Sequence, residues 1–174
     1  MNIMQEIRME KLTLNIGAGK DQVKLEKGMK LLKNITGINP VKTFTTKRIP
    51  EWGLRPGLPI GCKLTLRKAK MKEVISRLLD AKDYRLKESQ FDNGGNIAFG
   101  LHEYIDIPDV KYDPEIGVMG LEVCITLERA GFRIKRRRKK RRKVPIKHRI
   151  TKQNAMEFMI KEFKVKIGDE QNDL

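Results

Sequence analysis

The sequence lacks most of what catalysis, export or membrane insertion needs. Its 174 residues include two cysteines and two histidines. Cys62 and Cys124 are too few for a disulfide framework and do not have metal-site spacing. The default reading is a reduced, cytosolic protein. Apolar runs extend only a few residues, whereas a transmembrane helix needs about 20, so no membrane partner is expected. The first 20 residues carry charge at Glu6, Arg8, Glu10 and Lys11, where a secretory signal would have its apolar stretch.

Catalytic constellations are equally scarce. Neither His102 nor His148 has a Ser or Cys partner in a recognisable signature. Glu103, Asp106, Asp109, Asp113 and Glu115 lack the fixed ligand positions and central glycine of a calcium loop, and read as a solvated acidic loop. Gly17-Ala18-Gly19-Lys20 invites a phosphate-loop reading, but Asp21 follows the lysine where Ser or Thr is required, and Gln22 stands where a third glycine would be. It reads as a tight strand-to-helix turn. No enzyme, metal or cofactor is expected.

What is present is positive charge. Lys and Arg number 38 against 22 Asp and Glu, a formal net charge of +16. A polyanion is the expected partner, with nucleic acid first. The charge is local. Residues 42–72 carry +8, residues 133–149 carry +12, and the remainder of the chain sums to −4. The chain is therefore a slightly acidic scaffold with two basic devices.

Hydrophobic period supplies the scaffold. Met9 to Ile16 alternates, with Leu12, Leu14 and Ile16 on one face and Lys11, Thr13 and Asn15 on the other. Asp21 to Ile35 reads as an amphipathic helix stopped by Gly37 and Pro40. Val41 to Thr46 reads as a strand, and Lys47 to Gly61 as an irregular loop with Trp52. Cys62 to Arg67 alternates again, and Lys70 to Lys82 returns to helical spacing. Tyr84 to Phe91 and Ile97 to Tyr104 flank Asp92-Asn93-Gly94-Gly95-Asn96, which predicts a hairpin. Asp106 to Gly117 is an acidic loop, Met119 to Glu128 a strand, and Thr151 the N-cap of a last helix with Ala155, Phe158, Met159 and Phe163 inward. The polar tail from Gly168 is expected to fray.

The predicted class is α+β: a two-layer, antiparallel-rich sheet with helices packed on one face and an open face for RNA. Residues 1–174 are expected to form one domain, with a protruding loop at 47–61 and a basic insertion at 131–150. The polar strand residues Lys11, Thr13, Asn15, Lys42, Thr43, Lys63, Thr65 and Arg67 are the candidate contacts of the open face. Lys47, Arg48, Trp52 and Arg55 are those of the loop, since long loops in compact domains are usually functional. The alternative is that Trp52 folds back onto the domain.

Nine consecutive basic residues, Lys135, Arg136, Arg137, Arg138, Lys139, Lys140, Arg141, Arg142 and Lys143, are extended by Arg133, Lys147 and Arg149. So dense a run repels itself unless phosphates neutralise it, which favours a phosphate-binding arm over a solvated charge run.

Five ordered blocks resemble one family. They are Glu10-Lys11-Leu12-Thr13-Leu14-Asn15-Ile16-Gly17-Ala18-Gly19; Ile35-Thr36-Gly37 with Pro40-Val41 and Thr43; Trp52-Gly53-Leu54-Arg55 with Pro59-Ile60-Gly61-Cys62-Lys63-Leu64-Thr65-Leu66-Arg67; Phe91-Asp92 with Gly95-Asn96 and Gly100-Leu101-His102-Glu103; and Lys111-Tyr112-Asp113. They resemble the universal large-ribosomal-subunit protein number five family, whose members bind 5S rRNA. The basic insertion and Lys147-His148-Arg149-Ile150 resemble its archaeal and eukaryotic branch.

The resemblance implies a non-enzymatic, ribosome-bound protein in the cytoplasm. It implies that the open face meets 5S rRNA, with Asn15 and Thr65 at contact positions, and that the loop from Lys47 to Gly57 reaches the elbow of P-site tRNA. It also implies contact with large-subunit (23S-type) rRNA, to which His148 and the basic insertion are assigned, and with a small-subunit protein across the subunit interface. The rival is a DNA-binding or architectural protein using the basic arm; helix-turn-helix patterns and zinc ligands are absent from the sequence.

Overall fold

The computed structural model describes residues 2–168. The polar tail after Gly168 lies outside them. Among the described residues, seven strands and three α-helices follow in chain order: β1 (Ile7–Gly17), α1 (Gln22–Thr36), β2 (Val41–Phe44), β3 (Pro59–Leu66), α2 (Ala69–Asp80), β4 (Arg85–Leu86), β5 (Asn96–Leu101), β6 (Leu121–Arg129), α3 (Lys152–Phe163) and β7 (Lys166–Ile167).

Five strands form one antiparallel sheet in the order β2-β3-β1-β6-β5. Alternation sorts its two faces. Leu12, Leu14 and Ile16 of β1, Cys62, Leu64 and Leu66 of β3, Val123, Ile125 and Leu127 of β6, and Ile97, Phe99 and Leu101 of β5 all enter one core. The helices supply the other half: Leu25, Leu31, Leu32 and Ile35 from α1, Met71, Val74, Ile75, Leu78 and Leu79 from α2, and Ala155 and Met159 from α3. The predicted two-layer class is what forms, because every helical stripe finds the same apolar sheet face. Burying each large apolar side chain of this kind contributes roughly 1.5–3 kcal/mol.

Local chemistry sets the helix ends. The Asp21 carboxylate accepts from the N–H groups of Val23 and Lys24, and Gly37, with φ of +71°, closes α1. Thr151 caps α3 by accepting from the Asn154 N–H. Each cap of this kind contributes about 1 kcal/mol. Gly28 lets α1 lie close to the sheet, since a Cβ there would come within 3.2 Å of Cys62 Sγ and Ile16 Cγ2.

Two expectations need correction. The stretch from Tyr84 to Phe91 does not pair with β5 as a hairpin. Asp83 and Tyr84 are left-handed, with φ of +51° and +53°, and only Arg85–Leu86 is extended, pairing in parallel with β7. A single bridge, Phe91 to Ile97, survives across the turn. The Asp92 carboxylate explains the tight turn: it accepts from the N–H groups of Gly94 and Asn96 and from Asn96 Nδ2. Partial burial works against its charge, but these bonds hold its carboxyl below the usual range. The partner of β5 is instead β6. The second correction is at the loop after β2, which ends at Leu58 rather than Gly61, because Pro59 already begins β3.

The acidic loop is tied down rather than free. The buried Tyr104 hydroxyl accepts from the Asp113 N–H at 3.0 Å. Lys30 of α1 pairs with Asp113 at 2.9 Å and with Glu115. Hydrogen bonds to Glu115 and Asp113 raise the Lys30 ammonium above its ordinary value. The clamp belongs to the helical layer, away from the open sheet face.

Candidate nucleic-acid interface

Among the described residues, no helix packs on the side of the sheet opposite the core. Its residues line up in rows fixed by strand register. One row runs Gly100, Glu122, Asn15, Lys63, Val41. The next runs Ala98, Cys124, Thr13, Thr65. Beyond them lie Asn96, Thr126 and Lys11 on one side, and Gly17, Gly61 and Thr43 on the other. Apart from the acid Glu122 and the exposed Val41 at the sheet edge, these are small, polar or basic groups. A flat face of this composition admits a close-lying polar backbone.

Seven of the eight sheet candidates therefore belong to this side or its rim: Lys11, Thr13, Asn15, Thr43, Lys63, Thr65 and Arg67. Lys42 does not. It pairs with Cys62, whose side chain is in the core, so Lys42 is on the helix side of edge strand β2. One residue of parity separates it from Thr43.

The face also holds residues that the sequence-based set lacks. Asn15 Nδ2 donates to Glu122 Oε2 at 3.0 Å. Asn15, Gly17, Gly100, Gly120 and Glu122 line a shallow hollow of about 250 Å³. The alternation of β6 places Glu122 and Cys124 outward, and the strand glycines mark close approach; both signals are in the sequence. Burial raises the thiol pKa of Cys124, with Glu122 adding to it, and burial alone pushes that of Cys62 up to about 11.

The loop between β2 and β3 is a built structure. Thr45 N–H donates to Leu58 O and Gly57 N–H to Thr45 O, closing its base. Ile49 and Leu54 exchange backbone bonds of 3.1 and 3.0 Å above that. A one-turn 3-10 helix, Pro50–Trp52, ends at Gly53 with φ of +66°. Leu54 anchors the loop at 7% exposure, while Trp52 is 66% exposed. Trp52 does not fold back. Lys47, Arg48 and Arg55 of the same loop are also exposed.

The basic insertion is a loop anchored at both ends. Phe132 and Val144 are buried at its two ends, and Arg142 N–H donates to Ile134 O across its neck. Arg133, Arg137, Arg138, Lys139, Lys140, Arg141, Arg142, Lys143 and Lys147 are exposed. Lys135 Nζ lies 4.9 Å from the centre of the Phe132 ring. Three members are held by acceptors on the chain itself. Arg136 pairs with Glu10 and Glu128 at 2.6 and 2.7 Å. His148 meets Ala130 O through Nε2 at 2.8 Å and packs edge-on against Phe132. Because that oxygen only accepts, Nε2 carries the proton. Arg149 donates from Nε to Val144 O at 3.2 Å.

Among the described residues no group of three or more His, Cys, Asp or Glu side chains is placed to hold a metal, and no helix is long and apolar enough to cross a membrane.

Comparison with known proteins gives the family. Residues 2–55 match the family model described as ribosomal protein L5, and residues 59–164 match the model for the C-terminus of the same ribosomal family. Curated relatives named large ribosomal subunit protein uL5 align over nearly their whole length. The one from Sulfurisphaera tokodaii is 46% identical over 168 residues, covering 96% of this chain and 95% of that protein. The one from Nanoarchaeum equitans is 48% identical over 165 residues, covering 94% and 97%. The one from Methanosphaera stadtmanae is 44% identical over 167 residues, covering 96% and 99%. A family match on both halves of the chain, with archaeal relatives spanning it nearly end to end, leaves one conclusion: this chain belongs to the ribosomal protein L5 family, non-enzymatic structural proteins of the large ribosomal subunit.

Proposed function

We propose that the chain binds 5S rRNA on the open sheet face and attaches it to the large subunit of the cytoplasmic ribosome. The observation that carries this reading is the face itself: a five-stranded sheet with one side in the core and the other side uncovered, polar and rich in glycine. An uncovered antiparallel face normally carries charged residues against solvent. This one has charge at Lys11, Lys63 and Glu122, but its centre is Asn15, Thr13 and Thr65, short side chains that hydrogen-bond without holding a partner off.

Around it, Lys47, Arg48, Trp52 and Arg55 would meet P-site tRNA, and the exposed cations of 133–149 would neutralise large-subunit rRNA. Members of the family also approach a small-subunit protein, which would meet this chain at the subunit interface. The mechanism is phosphate neutralisation with recognition of RNA shape, since A-form grooves offer side chains little sequence. Mixing the protein with 5S rRNA in the presence of excess duplex DNA tests the reading. A stoichiometric 5S complex that survives the competitor supports it. Equal loss to duplex DNA would favour a general polyanion binder.

A further inference from the structure

Two carboxylates sit at the end of the open face where the cationic loop begins. β1 carries a bulge there: Met9 pairs with Leu127 and Lys11 with Thr126, which leaves Glu10 as the extra residue. Glu128 of β6 lies beside it. Their side chains are 9% and 14% exposed. Arg136, inside the run of nine cations, reaches both, and Arg8 and Arg67 approach from the flanks at 2.9 and 3.6 Å.

Acids at the margin of an RNA face are costly, because each repels phosphate. Two of them side by side also repel one another. Arg136 resolves the second problem, and so gains a fixed place. The remaining cations are linked to that place through bonds from the N–H groups of Arg136 and Arg137 to Arg133 O and from Arg142 to Ile134 O. Without the acids, the same run would be expected to fan outward under its own repulsion.

We propose that Glu10 and Glu128 are positioning residues for RNA binding: by gripping Arg136 they hold the cationic loop at the rim of the open face, so that loop and face engage the same RNA. The inference rests on the reading of that face as the 5S rRNA site. Holding the loop beforehand lowers the ordering cost of binding.

The test uses the full chain with Glu10→Gln and Glu128→Gln together, which raises the formal net charge from +16 to +18. Probes are a 5S rRNA transcript and poly(U). If charge alone mattered, both would bind more tightly. The expected result is opposite in sign for the two: 5S rRNA affinity falls about five- to tenfold while poly(U) affinity holds or rises. Trypsin should also cut the free variant faster between residues 136 and 143. Arg136→Met, made at an exposed side chain, should reproduce the 5S loss and the faster cleavage even if the double variant folds poorly. Unchanged or tighter 5S binding with unchanged cleavage overturns the inference. If the unaltered chain shows no preference for 5S rRNA over poly(U), the reading of the face is what fails, and the cleavage rate alone then decides whether the acids hold the loop.

Discussion

The Asn15 amide is oriented by Glu122: its Nδ2 donates across the β1–β6 ladder to the carboxylate at 3.0 Å. The carboxylate can only accept, so Oδ1 of Asn15 is the atom left for a donor from outside. Asn15→Ala should weaken 5S rRNA binding by roughly 1–3 kcal/mol, the cost of leaving a buried polar partner unsatisfied. Asn15→Asp should weaken it further, because two carboxylates then oppose each other in one register pair. Filter binding measures both, and unchanged affinity in Asn15→Ala would remove this residue from the interface.

Two glycines on the same face make a contrasting pair. A Cβ at Gly61 would stand 2.7 Å from Ile16 O and 3.1 Å from Thr43 Oγ1, whereas a Cβ at Gly17 would meet nothing within 4 Å. Gly61→Ala should cost about 1–3 kcal/mol of stability through overpacking. Gly17→Ala should leave stability level or raise it by up to about 1 kcal/mol. If RNA lies flat on the face, Gly17→Ala weakens binding despite its sound fold. Thermal melts and gel shifts on the two variants separate packing from docking.

The cysteines report on the two sides of the sheet. Cys62 is buried with its pKa pushed up to about 11, so its thiolate is negligible at neutral pH. Cys124 faces outward, half-buried, its pKa also raised, first by burial and then by Glu122. N-ethylmaleimide at mildly alkaline pH should label Cys124 slowly and Cys62 only after unfolding, as mass spectrometry of the peptides would reveal. Bound 5S rRNA should protect Cys124, and labelling at an undiminished rate would place the RNA elsewhere.

Trp52 is the sole tryptophan and is 66% exposed. Its fluorescence should therefore have the red-shifted maximum of a ring in water, and tRNA should quench it. Trp52→Ala should leave the melting temperature unchanged and weaken tRNA binding by about 1–3 kcal/mol, the scale of one base–aromatic stack. 5S rRNA affinity should not change. Equal loss of both RNAs would assign the loop to the 5S site.

Deleting residues 135–143 removes nine cations. The slope of log affinity against log salt for total rRNA should flatten by roughly 0.7–0.9 for each phosphate no longer neutralised. A slope that does not change would mean the loop remains solvated on the ribosome.

Much of this architecture is legible from spacing. The alternation of Leu12, Leu14 and Ile16 and the stripe of α2 both arise from periods that folding preserves, and Asp21 and Thr151 cap as their chemistry dictates. What alternation does not encode is partner choice. The run from Tyr84 to Phe91 carries strand-forming residues and a strong turn after it, yet the left-handed backbone at Asp83 and Tyr84 and the 3-10 turn at Glu88–Gln90 leave only Arg85–Leu86 extended. Lys42 reads as an open-face residue from its neighbourhood of charge, whereas the register of β2 depends on β3 and inverts that side. Arg136 and His148 read as phosphate ligands because their partners, Glu10, Glu128 and Ala130, are brought to them only by the tertiary fold.

The apolar phase of β1 changes partway along the strand. Ile7 and Met9 pack toward the core from odd positions, while Leu12, Leu14 and Ile16 do so from even ones. The bulge at Glu10 absorbs the difference. Excising Glu10 would make the ladder regular, with Met9 and Lys11 as consecutive residues facing opposite sides as any strand requires. The strand is one residue longer than its hydrogen bonding demands, and what the surplus residue carries is the carboxylate that Arg136 grips.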